Sequence, residues 1–575
     1  MEFVLRGSTW MREPSFFEVL CRMSELVRQV IDYHEISKHS FNRYAQGPGY
    51  LDWANQPDPF RRYQGAALIR LEINPPGDDP AYDLALTPGG IPPSRLSPDI
   101  LSRFLLNSLA VSAWKSAGGV TWALRVNPSS GNLHPTEGYL IFGPIEGICD
   151  SPVVCHYAPK EHALELRAKF SLDLWHKLID GFPEETILAG LSSIYWREAW
   201  KYGVRAFRYC QHDIGHALAS LSIAAAGIGK QARLIDRLSA TDLSSLLGLF
   251  DQGGEEHEQP ECLLAVYSEK ACFSPPISLP SMVIAEFRHL QWHGRPNRLS
   301  RSRVEWPDID VASRSCQKPP ALETADRAGP YYGYHETGSP ASGDPEFLIR
   351  EVGLCQIVRK RRSAVEMDGL TSIRSAAFYN MLFRTIAGRG RKPFLSLPWK
   401  TCAHLALFVH RIDGLPKGLY FLVRDGNKKE ELQSAMHENF LWKKPADCPD
   451  GLELYILMEH DVRKSSMQLS CFQEIAGEGC FSAAMIVSFR DPLEFYGPWF
   501  YPRLFWECGM IGHILYLEAE AAGVRGTGIG CFFDDPTHEF LGLKNGYQDI
   551  YHFTVGGPVE DPRLSTLPAY EEYRV

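Results

Sequence analysis

Two long stretches of the chain carry apolar residues at helical spacing. In FRYCQHDIGHALASLSIAAAGIG (207–229), Ile214, Ala217, Leu218, Leu221, Ala224 and Ala225 fall on one helical face. In RLFWECGMIGHILYLEAEAAGVRGTGIG (503–530), Met510, Ile514, Leu517 and Ala521 do the same. Both stretches contain a Gly-His pair, Gly215–His216 and Gly512–His513, and both are followed by a Leu-Gly-Leu. Gly227 and Gly523 stand where a helix stop is expected. Short β-prone runs surround each stretch: 138–142, 153–157 and 262–267 in the first half, and 404–410, 418–423, 452–458, 483–489 and 550–555 in the second. Strands mixed with a central core helix in each half predict the α+β class.

Between the halves, residues 294–345 are rich in Pro, Ser, Gly and Arg and keep no sustained period, which predicts a long connector. The expected division is therefore a first domain with an N-terminal extension at 1–293, a connector at 294–345 and a second domain at 346–575. A tandem duplication folds as a dimer within one chain, with sites expected between the halves. The connector's Arg295, Arg298, Arg301 and Arg303 read as a solvated run.

Charge and composition narrow the function. The 59 basic and 69 acidic residues give a net charge of −10, a poor match to a nucleic-acid backbone. The longest apolar run, Ala217 to Gly229, is too short for a membrane span. The opening MEFVLRGSTWMREPSF lacks a basic-then-apolar leader, so a cytoplasmic location is expected. The 14 cysteines are scattered from Cys21 to Cys531, without C-x-x-C spacing. Reduced, mostly buried thiols are expected, so redox chemistry would need a cofactor.

Several motifs bear chemistry. RVNPSSGNLHPTEGY (125–139) offers Ser129, Ser130 and Asn132 on a loop where Gly131 lets the backbone approach a ligand. RKRRSAV (359–365) places Arg361, Arg362 and Ser363 together, a donor set suited to phosphate. RGTGIGCFFDD (525–535) brings Gly526, Gly528 and Gly530, and GGPVEDPRL (556–564) carries Arg563. WKYG contains the adjacent pair Lys201–Tyr202. In HDIGH, His212 and His216 share a helix face with Asp213 between them, but no outlying ligand set completes a metal site, and core histidines are expected.

PSSGNLHPTE resembles the signature of the nitroreductase superfamily, in particular its SagB/ThcOx branch of azoline dehydrogenases. YHEISKHSFNRYA (33–45), LDWANQPDPFRRY (51–63) and WKYGVRAFRYCQHDIGH (200–216) extend the resemblance over most of residues 30–270, and more weakly over 350–565. The resemblance implies FMN at an interface between halves, with Ser129, Ser130 and Asn132 from one side. Arg361, Arg362, Ser363, the three glycines and Arg563 would come from the other. It assigns Lys201 and Tyr202 to proton transfer on a small-molecule or modified-peptide substrate, and it allows NAD(P)H as reductant. The second half's counterpart of the Ser-Ser loop, PFLSLPWKTCAHL (393–405), lacks the Asn. The first half has SKHS (37–40) in place of Arg-Arg-Ser and only Ile228-Gly229-Lys230 as a glycine segment. One complete site per chain is expected rather than two. Two other functions stay open at this level: a metal-dependent hydrolase on HDIGH, and a non-catalytic binding protein on a degenerate flavin fold.

Overall fold

The computed structural model describes residues 16–250, 256–268, 278–319, 350–388, 391–544 and 546–570, with side chains from Met23 onward. The first half contributes β1 (Ala67–Arg70), β2 (Val111–Ala117), β3 (Val120–Arg125), β4 (Thr136–Phe142), β5 (Val153–Ala158), β6 (Ala163–Lys169), β7 (Ile187–Ser193), β8 (Lys230–Leu234) and β9 (Gln259–Ser268). Seven of them form an antiparallel sheet in the order β1-β6-β5-β4-β7-β9-β8. The second half has β10 (Ala403–Val409), β11 (Gly418–Leu422), β12 (Leu454–Met458), β13 (Phe481–Ser488), β14 (Arg525–Ile529) and β15 (Tyr547–Gly556). Its antiparallel order is β12-β11-β10-β13-β15-β14. Strand for strand this matches β6-β5-β4-β7-β9-β8, so the duplication and the α+β class are both present in the topology.

The apolar runs are continuous because both faces of each sheet are buried. Along β4, Leu140 and Phe142 enter a core cluster shared by both halves, while Tyr139 and Ile141 enter an outer cluster. Along β10, Leu405, Leu407 and Val409 face the shared core, and Ala406 and Phe408 face outward. This is the two-residue period of a strand sandwiched between layers.

Six helices matter here: α1 (Phe16–Ile36), α2 (Tyr195–Tyr202), α3 (Ala206–Ala226), α4 (Pro307–Ser315), α5 (Leu354–Lys360) and α6 (Tyr501–Ala521). The periodic helices α3 and α6 pack on each other at the centre of the molecule. Their backbones meet at glycines. A Cβ on Gly215 would lie 2.3 Å from the Trp506 carbonyl oxygen, and one on Gly509 would lie 2.3 Å from that of His212. Gly523 ends α6 with φ +76°, as expected. Gly227 does not take that role after α3: its φ is −64°, and the left-handed residue is Gly229 at +70°.

The expected connector departs from a free linker over its first part. Residues Arg295–Pro296 pair with Tyr63–Gln64, and α4 packs against α1. Its Pro at the first turn and apolar Ile309 and Ala312 on a buried face account for the helix. The rest of the connector, from residue 320, and the first 15 residues of the chain lie outside the described residues. After the second domain the chain returns to the first: β16 (Ser565–Leu567) pairs with β2, and the Tyr570 hydroxyl donates to the Pro159 carbonyl at 2.7 Å.

A buried ionic cluster fastens the halves. The Asp534 carboxylate accepts from Arg205 (3.1 Å), Arg208 (2.7 Å) and the His39 amide (3.0 Å). Lys38 pairs with Asp535 at 2.9 Å. The SKHS segment thus grips the second half.

Candidate functional site between the halves

Past β3 the chain turns through Ser130–Asn132, a single turn with Gly131 at φ 56° and Asn132 at φ 60°. The close approach at Gly131 is to this chain's own ring: a Cβ there would sit 2.4 Å from the Tyr202 hydroxyl. The loop is tied from beneath. The Ser130 amide and hydroxyl both donate to Asp213 at 3.0 Å, the His134 amide donates to Ser129 Oγ at 2.8 Å, and Asn132 Nδ2 donates to the Ala123 carbonyl at 2.8 Å. Asp213 is buried on α3, and burial pushes its carboxyl up to about 7 against the bonds from Ser129 and Ser130. Glu198 on α2 is buried beside it and is held well above the usual carboxylate range by burial, then by the Asp213 charge.

The second half reaches this loop through Arg361, which follows α5. Its buried guanidinium donates to the carbonyls of Arg125 (3.1 Å) and Val126 (3.3 Å) and lies 4.9 Å over the Tyr516 ring. The Tyr516 hydroxyl is 2.9 Å from Ser363 Oγ and accepts from the Gly528 amide at 2.9 Å. Ser363 also runs beside Gly526 in a parallel bridge. Arg362 donates to the carbonyls of Arg359 and Arg361 and lines a cleft of about 730 Å³ with Ser112, Arg359, Lys360 and Thr566.

On β14 and just beyond it, the glycines admit aromatic rings. A Cβ would lie 2.0 Å from the Tyr551 hydroxyl at Gly528, 2.3 Å from the Tyr209 ring at Gly530 and 2.7 Å from the Phe553 ring at Gly526. Tyr209 meets Tyr202 edge to face at 4.7 Å, and the Gly530 carbonyl accepts from Arg205 at 3.0 Å. A continuous path therefore runs from Gly131 of one half through Tyr202 and Tyr209 to Gly530 of the other. Ser129, Ser130, Asn132, Lys201, Tyr202, Gly528 and Gly530 are all half-buried, so they form its accessible wall.

Lys201 stands beside Tyr202, with Nζ 5.3 Å from the ring centre. Burial and the nearby Glu198 hold the Tyr202 phenol well above its usual value.

Arg563 does not join the group. Its side chain is exposed and paired with Asp561 at 2.8 Å, because the chain here is crossing toward β2. His212 and His216 are buried, His212 stacks on Tyr551 at 4.1 Å, and His216 Nε2 is 3.0 Å from the Tyr551 hydroxyl. Asp213 between them serves the Ser130 loop. Among the described residues, no group of three or more His, Cys, Asp or Glu is arranged to hold a metal ion.

Tyr209, Tyr516 and Tyr551 were not singled out by motif. Tyr516 lies two helical turns beyond Gly509, on the same face, and that period was the available signal.

By residue type the donors match a phosphorylated flavin: guanidinium and hydroxyl groups for a phosphate, amide and hydroxyl groups for the edges of a heterocycle. Of the Arg361–Ser363 run, Arg362 lines the open cleft, while Arg361 is buried against the Arg125 and Val126 carbonyls and Ser363 lies against Tyr516. No family model and no curated protein matches the chain. Among solved structures, it is similar to a protein from Anabaena variabilis described as a nitroreductase. The TM-score is 0.65 and the identity 20%, over 92% of this chain and 99% of that one. A protein from Ralstonia eutropha described in the same way aligns with 40% of this chain at 14% identity and TM-score 0.26, covering 100% of its own length. A chain of the Escherichia coli microcin synthetase McbBCD complex aligns with 45% at 19% identity and TM-score 0.26, covering 98% of its own length. The fold is thus the nitroreductase fold, in tandem: two copies in one chain. No helix among the described residues is long and apolar enough to cross a membrane.

Proposed function

We propose that this protein is an FMN-dependent oxidoreductase of the nitroreductase type, with one flavin between its halves and a small-molecule or peptide-derived substrate. One observation carries the reading: the motif elements of opposite halves meet, with Arg361 donating to the carbonyls that lead into the Ser129–Asn132 loop. When bound, FMN supplies reversible hydride chemistry at its ring. NAD(P)H serves as its reductant in this reading. Arg361, Arg362 and Ser363 would hold the phosphate. Ser129, Ser130 and Asn132 would hold the polar edges, and the backbone of Gly526, Gly528 and Gly530 would lie along one side.

The protein's own groups divide the remaining work. The protonated Tyr202 phenol gives a hydrogen bond or a proton to a substrate at the accessible wall. Lys201 beside it adds positive charge for an anionic group of the substrate. Asp213, with its carboxyl near neutrality, fixes the Ser130 amide and hydroxyl and so sets the shape of the loop.

The test is the visible spectrum and flavin content of the purified protein after incubation with FMN. The expected result is one FMN per chain, and its strong loss in the double variant Arg361→Ala, Arg362→Ala. Each charge-assisted bond removed is worth about 1.5–3 kcal/mol. A parent protein that takes up no flavin overturns the proposal.

A further inference from the structure

Sequence spacing offers no dithiol, but folding makes one. Cys531 follows Gly530 at the exit of β14. Cys471 occupies the turn after the helix Arg463–Leu469. The two segments run side by side: the Phe533 amide donates to the Leu469 carbonyl at 2.8 Å, and Gln473 Nε2 donates to the Cys531 carbonyl at 2.9 Å. Cys471 and Phe472 take left-handed backbone angles, φ 54° and 59°, which side-chain-bearing residues adopt rarely. This turn sets the Cys471 thiol beside the Cys531 thiol. Both cysteines are free and only half-buried, so a small reagent can reach them.

The surroundings distinguish the two sulfurs. His39 Nδ1 accepts from the Ala45 amide at 2.9 Å, which leaves Nε2 to carry the proton, and the imidazole stands near Cys531. Arg205, bound to the Gly530 carbonyl, adds positive charge nearby. The opposing charge, Asp534, is already paired with Arg205 and Arg208. Tyr44 lies near Cys471. The neighbouring Cys471 thiol, then His39, hold the Cys531 thiol below the ordinary thiol value against the effect of burial. The other described cysteines, Cys471 included, are pushed upward. Exposed Phe41, Tyr44 and Phe472 surround Phe533 beside the pair, with ring centres 4.8–5.7 Å from it, and give the thiols an apolar rim.

We propose that Cys531 and Cys471 form a redox-active dithiol that exchanges with low-molecular-weight disulfides, Cys531 as the attacking sulfur and Cys471 as the resolving one. The Cys531 thiolate attacks one sulfur of the small disulfide, a mixed disulfide forms, and the first small thiolate leaves. Cys471 gives up its proton and attacks the Cys531 sulfur. The Cys471–Cys531 bond forms and the second small thiolate leaves, taking the proton. The protein dithiol is oxidised to a disulfide and the small disulfide is reduced to two thiols, so atoms and electrons balance. Cys531 sits one residue beyond Gly530, at the accessible wall, but the exchange needs no flavin.

The experiment incubates the full-length protein with oxidised glutathione at neutral pH, with and without FMN, and maps its peptides by mass spectrometry. The expected parent product is a linked Cys471–Cys531 peptide under both conditions. Cys471→Ser is expected to retain glutathione on Cys531, and Cys531→Ser to give neither product. Iodoacetamide at pH 6 should alkylate Cys531 of the parent at least about tenfold faster than the half-buried Cys355, since the thiolate is the nucleophile. The absence of the linked peptide in the parent overturns the proposal, as does equal labelling of Cys531 and Cys355. Both readouts use the parent protein, so they hold even where a variant fails to fold. Their failure leaves the flavin proposal untouched.

Discussion

The ends of β14 and β8 occupy equivalent places in the two sheets, yet they have opposite fates. Beyond β14, Gly530 and Cys531 stay half-buried on an accessible wall. Beyond β8, Ile235 and Asp236 are buried, and the connector closes over them. Lys318 pairs with Asp236 at 2.8 Å and lies 4.3 Å over the Trp499 ring, while Arg503 binds the other side of Asp236 at 2.6 Å. What remains is a cavity of about 60 Å³. The loops beneath the sheets differ as well. Asp213 holds the Ser130 amide and hydroxyl, whereas Glu507 holds the Cys402 amide at 2.9 Å and is itself paired with Arg424. A duplication yields two equivalent positions. Here the segment between the copies fills one of them, and the partner of each carboxylate decides which loop stays responsive.

The comparison breaks most severely if the halves are independent. Residues 1–300 or 346–575 expressed alone should aggregate on size exclusion, because each exposes the helix face that α3 and α6 bury together. A soluble, monomeric half with native-like circular dichroism would contradict this.

Next in size is the fastening at Asp534. Asp534→Ala leaves Arg205 and Arg208 buried without their carboxylate, and loss of one partner from a buried ion pair typically costs about 3–5 kcal/mol. Denaturant unfolding measures the loss, with a shift below about 1 kcal/mol counting against it.

Lys318→Ala sharpens the contrast between the two strand ends. Removing a charged bond to Asp236 should cost about 1.5–3 kcal/mol in stability. The FMN content should remain at one, since the loop that the second half would bring to that strand end, 393–405, carries no Ser-Ser-x-Asn. A second bound flavin would show that the connector alone makes the difference.

The smallest effect is one of slope. Asp213 has its pKa raised from 3.8 to about 7, so the folded state holds its proton where the unfolded chain has released it. The stability of the parent relative to Asp213→Asn should therefore fall as pH rises from about 4 to about 7, and level off above. Buried His212 and His216 titrate with the opposite sign below their usual value, but they are common to both proteins and cancel in the difference. Parallel stability curves across that range would refute the assignment.

The sequence by itself determined the pair of core helices, all eight β-prone runs and the duplication, because apolar period is a local signal and each of these elements buries a whole face or stripe. Its motifs also marked Ser129, Arg361 and Gly528, whose residue types are chemically distinctive wherever they fall. Only the tertiary structure decided that α4 packs against α1, that Arg563 stays exposed on Asp561, and that the segments of Cys471 and Cys531 run side by side. These outcomes depend on where distant segments come to lie. Pairing across a fold leaves no period in the chain, and a thiol's acidity is set by neighbours such as His39 and Arg205 that only folding supplies.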